Sequence, residues 1–179
     1  MKDIEDLWKV NVMGPWILTK HAWKYLSMSN SARIIVLVSM SGKRSKGNLC
    51  GYSMSKFALM SLCQTMRNEG WENGIRVTAI CPGWVNTDMA KEIKHYPKKD
   101  MSQANDIASI CSNLLTLPNS SIPFEIALNC QLETNIYKIS LIFLNRISSF
   151  LKCIQHSQNC LTKILMKVVS IKTSYCFTY

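Results

Sequence analysis

The sequence predicts an α/β fold in which helices flank a small parallel β-sheet. Two short runs, 34–38 and 75–81, are rich in β-branched and other apolar residues, which is typical of strands covered on both faces. Segments with apolar residues at three- and four-residue spacing alternate with these runs and indicate helices. Because the order helix, strand, helix, strand, helix, strand needs crossover connections, we expect a parallel sheet with right-handed crossovers.

The first half of this pattern begins with a predicted helix over 4–26. Gly14-Pro15 interrupts that helix, and because proline lacks a backbone N–H group we expect a kink there. A strand follows at 33–39, where Ile-Ile-Val-Leu-Val forms an unbroken apolar run. The segment 41–51 is rich in Gly, Ser and Lys and is predicted to be a loop.

The second half repeats the same order of elements, with helical periodicity alternating with short apolar runs. Turn-forming residues separate the elements, and a polar side chain stands where the last helix is expected to begin. The predicted elements are a helix at 52–69, a strand at 75–81 ended by Pro82-Gly83, a basic connection at 88–101, a helix at 102–117 with Ser102 as its N-cap, and a strand at 124–129.

Composition and charge divide the chain into two parts. With 179 residues, 47% of them hydrophobic and 18% charged, the chain suits one globular domain and is not a disordered protein. All acidic residues lie between Asp3 and Glu133, and the residues after Glu133 include six Lys or Arg. We therefore expect a domain over 1–133 and a basic tail over 134–179, either helical or poorly ordered. Nucleic-acid binding is not expected, because no motif accompanies the positive charge.

Eight cysteines are present, but their arrangement predicts neither a disulfide framework nor a metal site. No two of them form a Cys-x-x-Cys pair, and no paired histidines accompany them. The N-terminal segment lacks the apolar core of a signal peptide, and no apolar stretch approaches the roughly 20 residues needed to span a bilayer. The sequence therefore predicts reduced, mostly buried thiols in a cytoplasmic protein.

Tyr52 and Lys56 carry the chemistry that the sequence predicts. They are four residues apart in a predicted helix and share one face. An ammonium beside a phenol favours the phenolate by charge attraction, which suits the phenol to general acid–base work. Ser39 ends the preceding strand and is placed to donate a hydrogen bond to a substrate carbonyl, and Asn11 is placed to hold a water connecting Lys56 to solvent. Taken alone, the Tyr-Lys pair is more simply explained as two neighbours on a helix surface.

Further residues around this pair form a pattern with it. The pattern consists of Asn11, Ser39 with Gly42 three positions later, Tyr52, Lys56 and Pro82-Gly83-x-Val85-x-Thr87. In order and spacing it resembles the short-chain dehydrogenase/reductase family. The resemblance covers about residues 1–133 and implies a partial Rossmann-like, doubly wound parallel sheet of about three strands with flanking helices. It also implies NAD or NADP as cofactor and an alcohol, aldehyde or ketone as substrate.

The resemblance implies a role for each matching residue. Tyr52 would be the catalytic acid/base, and Lys56 would tune it; both would bind the nicotinamide ribose side of the cofactor. Ser39 would polarise the carbonyl, and Asn11 would support the proton relay. The two large helices would form contacts in a homo-oligomer. The residues expected to contact the nicotinamide end of NAD(P) are Pro82, Gly83, Val85 and Thr87.

Motifs of the family's first half are absent from the sequence, which has no T-G-x-x-x-G-x-G turn and no N-N-A-G-like segment. We therefore expect a truncated member that binds NAD(P) weakly by itself and leaves the strand at 34–38 without one neighbour. Three functions remain open. The chain is an oxidoreductase completed by self-association or by a partner, a catalytically inactive remnant that acts through interactions, or a peripheral membrane binder through its basic tail.

Three smaller features also leave alternatives open. Apolar spacing over 136–154 predicts a basic amphipathic helix, which packs against exposed sheet, lies on an anionic membrane or belongs to a sequence never selected to fold. Trp84 and Cys50 flank the expected pocket and either shape the substrate fit or serve packing. The lysine-rich connection at 91–99 attracts an anionic substrate or is a solvated loop.

Overall fold

The computed structural model describes residues 2–45, 47–91, 93–94 and 96–130 of the chain. The predicted tail over 134–179, with its amphipathic helix and the membrane contact assigned to it, lies outside the described residues. The helices are α1 (Lys2–Trp8), α2 (Gly14–Ser27), α3 (Cys50–Gly70) and α4 (Ala104–Thr116), with a π-helical turn at Lys9–Met13 and 3-10 turns at Met40–Gly42, Asp88–Ala90, Lys98–Asp100 and Asn119–Ser121. The strands are β1 (Arg33–Leu37), β2 (Arg76–Pro82), β3 (Val85–Asn86), β4 (Ser102–Gln103) and β5 (Glu125–Leu128).

Three of the strands form a parallel sheet in the order β1-β2-β5. β1 pairs with β2 from Arg33 opposite Arg76 to Leu37 opposite Ile80, and β5 pairs with the other side of β2. Helix α3 lies in the connection from β1 to β2, and α4 lies in the connection from β2 to β5. This arrangement confirms the predicted α/β class, with a Rossmann-like parallel sheet and flanking helices.

The predicted first helix is divided by a π-helical turn rather than by a simple bend. The backbone N–H of Gly14 bonds to the carbonyl of Lys9, five residues earlier, which is the wide spacing of a π-turn. Pro15 follows at the start of α2 and has no N–H group to continue the ordinary helical pattern. The interruption predicted at Gly14-Pro15 is therefore present, and it widens the helix over the preceding turn.

β2 and β1 differ in burial although both have apolar sequences. Val77, Ala79 and Ile80 of β2 are at most 2% exposed, because β2 lies between two strands and contacts helix α3. On its other face Ile80 joins a core cluster with residues of α4. In contrast, β1 is half-buried and its Leu37 is 56% exposed. The expected cover on both faces of β1 is therefore only partial. β1 also lies at the edge of the described sheet, with β2 as its one neighbour there.

The start of the last helix also differs from its prediction. Ser102 was expected to cap the helix, but its backbone N–H bonds to the Trp84 carbonyl at 3.0 Å and holds Ser102 in β4. Gln103 is the N-cap instead, and it forms a capping box with Asp106, whose carboxylate accepts from the Gln103 N–H at 3.3 Å. The sequence also did not predict the β3–β4 pair, because two-residue strands show no periodicity.

None of the helices within the described ranges is long and apolar enough to cross a membrane.

Candidate active site

A cavity of about 680 Å³ lies at the carboxyl ends of β1 and β2. This volume is within the usual range for small-molecule sites, and the carboxyl edge of a parallel sheet is where such folds bind ligands. Seven of the eight predicted site residues line the cavity, and Asn11 does not. The seven are Ser39, Tyr52, Lys56, Pro82, Gly83, Val85 and Thr87.

Ser39 occupies an unusual backbone conformation directly after β1. Its φ of 154° and ψ of 158° lie in a region that residues other than glycine seldom adopt. Its hydroxyl oxygen accepts a hydrogen bond from the Ser41 N–H at 3.0 Å, which begins the 3-10 turn at Met40–Gly42. Strain of this kind, about 1–3 kcal/mol, persists where surrounding structure enforces it and is frequent at functional sites.

Gly42 lets this turn approach the helix that carries Tyr52 and Lys56. A Cβ atom at Gly42 would lie 2.5 Å from Cγ1 of Val38 and 2.8 Å from the backbone oxygen of Lys56. Only a residue without a side chain fits between them. The close approach therefore fixes the distance between the Ser39 turn and α3.

Tyr52 and Lys56 lie in the first two turns of α3, as their four-residue spacing predicts. The Lys56 Nζ is 5.7 Å from the centroid of the Tyr52 ring. The same ammonium donates a hydrogen bond to the backbone carbonyl of Leu37 at 3.2 Å, at the end of β1. The pair is therefore held at the cavity by a backbone acceptor that no sequence motif reveals.

The buried thiols of Cys63 and Cys81 are close enough to the ammonium of Lys56 to affect its pKa. Burial lowers the pKa of Lys56 from its usual value, and the negative charge that Cys63 and Cys81 would carry as thiolates acts in the opposite direction. Burial also raises the pKa of Cys63 to about 12, with the neighbouring Cys81 adding to the rise. The pKa of Cys81 is raised chiefly by burial, against the lowering effects of a hydrogen bond to the Ser39 backbone and of nearby lysines. Both thiols therefore stay protonated, and the amine of Lys56 releases its proton more readily than a solvated lysine does.

Asn11 lies in the π-helical turn and reaches the site indirectly. Its side-chain amide donates to Oγ of Ser55 at 3.0 Å, and the Ser55 hydroxyl donates to the Tyr52 carbonyl at 2.8 Å. Ser55 is 1% exposed, so this chain of hydrogen bonds is shielded from water. Sequence reasoning missed Ser55, although a serine on the buried face of an amphipathic helix was a usable signal for a buried hydrogen bond.

The segment after β2 closes the opposite wall of the cavity. The backbone N–H of Gly83 bonds to the Leu128 carbonyl at 2.7 Å, which ties this segment to β5. The Asn86 side-chain amide donates to Oε1 of Gln103 at 2.9 Å beside the β3–β4 pair. These bonds hold Pro82, Gly83, Val85 and Thr87 at the cavity. Trp84, which the sequence left between substrate fit and packing, also lines it.

The remaining predicted features have definite places. Cys50 is exposed at the start of α3 and is not among the cavity residues. The five cysteines that the structure describes are all free. Among the described residues no group of His, Cys, Asp or Glu is arranged to hold a metal ion.

Comparisons with known proteins agree with this geometry. A family model described as short chain dehydrogenase matches residues 1–98. Agropine synthesis reductase of Rhizobium rhizogenes is 33% identical over 133 residues, which are 74% of this chain and 31% of that protein. Oxidoreductase UcpA of Escherichia coli (strain K12) is 33% identical over 85 residues, 47% of this chain and 32% of the relative.

A solved structure shows the same fold. The β-ketoacyl-[ACP] reductase (FabG) from Bacteroides thetaiotaomicron superposes with a TM-score of 0.62 at 27% identity, covering 73% of this chain and 55% of the other. The chain therefore spans about a third of the length of these curated relatives and about half of that solved structure. From the family match and the shared fold, we conclude that this chain belongs to the short-chain dehydrogenase family.

Proposed function

We propose that this chain carries the catalytic part of an NAD(P)-dependent oxidoreductase that interconverts an alcohol and an aldehyde or ketone. The observation that carries the proposal is that Ser39, Tyr52 and Lys56 line one cavity, with the Lys56 ammonium beside the Tyr52 ring. These three side chains supply a hydrogen-bond donor, a proton-transfer group and a positive charge. In carbonyl reduction the first two act at the substrate oxygen, and the positive charge beside the proton-transfer group stabilises its ionised form.

In this mechanism side chains of this chain donate and accept the proton. The Tyr52 phenol gives its proton to the substrate oxygen during reduction and takes it back during alcohol oxidation. Ser39 donates a hydrogen bond to the same oxygen. Lys56 returns a proton to Tyr52, which the lowering of the Lys56 pKa by burial favours.

Asn11 acts through another residue in this scheme. Its bond to Ser55 fixes the helical turn between Tyr52 and Lys56, and so it positions the pair. The expected water held by Asn11 is compatible with this arrangement, because the bond to Ser55 uses only Nδ2 of the Asn11 amide.

The residues present fit the nicotinamide end of a dinucleotide. Pro82, Gly83, Val85 and Thr87 line the same cavity as Tyr52 and Lys56, so a flat ring can lie between them. When bound, NAD(P) would supply or accept the hydride. Since the 179 residues contain no T-G-x-x-x-G-x-G turn for the diphosphate, we expect this chain by itself to bind NADPH more weakly than micromolar. We propose that it is a truncated member and that self-association or a partner completes the dinucleotide site.

The test is NADPH consumption by the purified chain with a panel of aldehydes and ketones, at NADPH concentrations high enough to offset the expected weak affinity. We expect Tyr52→Phe to lower turnover by at least about a hundredfold, because it keeps the ring and removes the proton donor. A fluorescence titration with NADPH measures cofactor affinity separately. Equal turnover of the chain and its Tyr52→Phe variant would refute the catalytic role, and micromolar NADPH binding would refute the expected weak affinity.

A second candidate is a non-catalytic interaction role, and the exposure of α2 favours it. None of the residues of this 14-residue helix is buried, and several are large and apolar, among them Trp16 and Leu18. Exposed apolar area of this kind marks an association surface. We propose that α2 and α3 form the contact of a homo-oligomer. Complete absence of turnover together with stable self-association would favour this candidate.

We also propose a cytoplasmic location. The five described cysteines are free and three of them are buried, which suits a reducing compartment.

A further inference from the structure

The part of the cavity that the proposed proton chemistry does not use is mainly apolar. Besides the predicted site residues, its larger side chains include Met40, Leu49, Trp84, Met89 and Ile93. These residues come from three separate segments, namely the turn after β1, the start of α3 and the connection after β2. Apolar walls of this kind bind ligands by removing apolar surface from water.

Trp84 is the largest of these side chains and is fixed in place. Its carbonyl accepts the Ser102 N–H at 3.0 Å, which locks the backbone between β2 and β3. Its ring contacts the ring of Tyr96, with 5.8 Å between the centroids and 38° between the planes. A ring held by its backbone and by one aromatic neighbour loses little conformational freedom when a ligand packs on it, and aromatic partners add a specific ring-to-ring attraction.

The charges around the cavity restrict the ligand further. The described residues that line it include the cation Lys56 and no Asp or Glu. A cationic ligand would be repelled, whereas a neutral or anionic ligand would not. The cavity volume of about 680 Å³ also leaves room for more than a short aliphatic alcohol.

From these observations we infer that the chain binds a bulky, aromatic or fused-ring alcohol or carbonyl compound, neutral or anionic, and that Trp84 is its specificity-determining residue. That this ligand is also the substrate rests on the proposed function, but its binding does not. The ring of the ligand packs on Trp84 while its oxygen lies towards Ser39 and Tyr52.

The test measures binding without cofactor, by calorimetric titration of the purified chain with 2-naphthalenemethanol. We expect Trp84→Ala to weaken binding about tenfold and Trp84→Phe to restore most of it, because phenylalanine keeps an aromatic face. Trp16→Ala is the matched control, since Trp16 lies on α2 and is not a cavity residue. The cation 2-naphthylmethylammonium, of nearly the same size, should bind at least about tenfold more weakly.

Equal losses in Trp84→Ala and Trp16→Ala, or equal binding of the alcohol and the cation, would overturn the inference. Should Trp84→Ala fail to fold, Met89→Ala takes its place, because Met89 lines the cavity and is 85% exposed. We expect it to weaken binding a few-fold, and unchanged affinity would count against the inference.

Binding and turnover separate the two proposals. Trp84-dependent binding without NADPH-dependent turnover would refute the oxidoreductase proposal alone. Turnover of short aliphatic aldehydes that Trp84→Ala leaves unchanged would refute the present inference alone.

Discussion

The side-chain amide of Asn11 donates a hydrogen bond to Oγ of Ser55 at 3.0 Å across the contact between the π-helical turn and α3. The two residues are 44 positions apart in sequence, so the bond is a tertiary contact. Because the Ser55 hydroxyl in turn bonds to the Tyr52 carbonyl, the π-helical turn helps to fix the helical turn that carries the proposed proton donor.

We expect Ser55→Ala to lower the free energy of unfolding by about 1–3 kcal/mol, because it leaves the Asn11 amide without its partner in a shielded site. Urea denaturation measures the change. Ser61→Ala is the matched control, since Ser61 lies on the exposed side of the same helix, and we expect a change within about 0.5 kcal/mol. A double-mutant cycle with Asn11→Ala should give a coupling energy of about 0.5–3 kcal/mol. Additive losses would show that the bond contributes nothing.

Gly42→Ala is expected to destabilise the chain by about 1–3 kcal/mol, because the new methyl group overlaps Val38 and the Lys56 backbone. Thermal and urea denaturation provide the measurement. Gly47→Ala is the control, since a Cβ at Gly47 meets nothing within 4 Å. If both variants are equally stable, the turn does not depend on the close approach at Gly42.

The buried thiol of Cys63 predicts a loss of stability at alkaline pH. Its pKa is raised from 9.0 to about 12 by burial, so between these values the folded chain holds a proton that the unfolded chain releases. The stability it contributes is complete below about pH 9 and falls as the pH rises towards 12. Lys56, whose pKa burial lowers from 10.5, acts in the opposite sense below that value.

The measurement is the free energy of unfolding as a function of pH, for the chain and for Cys63→Ser. Serine does not titrate in this range, so we expect the variant to be less stable but to show a shallower alkaline decline. An unchanged slope in Cys63→Ser would assign the decline to other groups.

The exposed apolar residues of α2 predict self-association. We expect sedimentation equilibrium to give a mass above that of one chain, and we expect Leu18→Glu to reduce it, because Leu18 is 71% exposed on α2. Leu115→Glu is the control, since Leu115 is 60% exposed but lies on α4. A monomeric chain, or an equal effect of both changes, would contradict the proposed contact.

Elements with a strong local pattern were predictable from the sequence, and contacts through the backbone were not. The four-residue spacing of Tyr52 and Lys56 placed both at one cavity because helix geometry alone determines their shared face. The Leu37 carbonyl that anchors Lys56 has no sequence signal, because every residue carries such a group. Ser102 is not the N-cap because it lies in β4, one residue before Gln103, and the helix begins only at Ala104.

Burial was predictable where a strand has neighbours on both sides. The apolar run of β2 is covered as expected, whereas the equally apolar β1 is half-buried. Sequence reports the preference of a strand for burial, but the neighbours present in the chain decide how much of it is realised.

The ammonium of Lys56 also protects the chain against misassembly. The Val38 N–H points towards β2 and bonds to the Ile80 carbonyl at 2.8 Å. The Leu37 carbonyl belongs to the same trans peptide group, in which C=O and N–H point in opposite directions, so it faces the outer side of β1. The Lys56 ammonium donates a hydrogen bond to that carbonyl, and a charged group at the edge of a sheet opposes pairing with a strand of another chain. We therefore expect exchange of Lys56 for an uncharged residue to promote aggregation as well as to impair the proposed proton transfer, and the two effects would have to be measured separately.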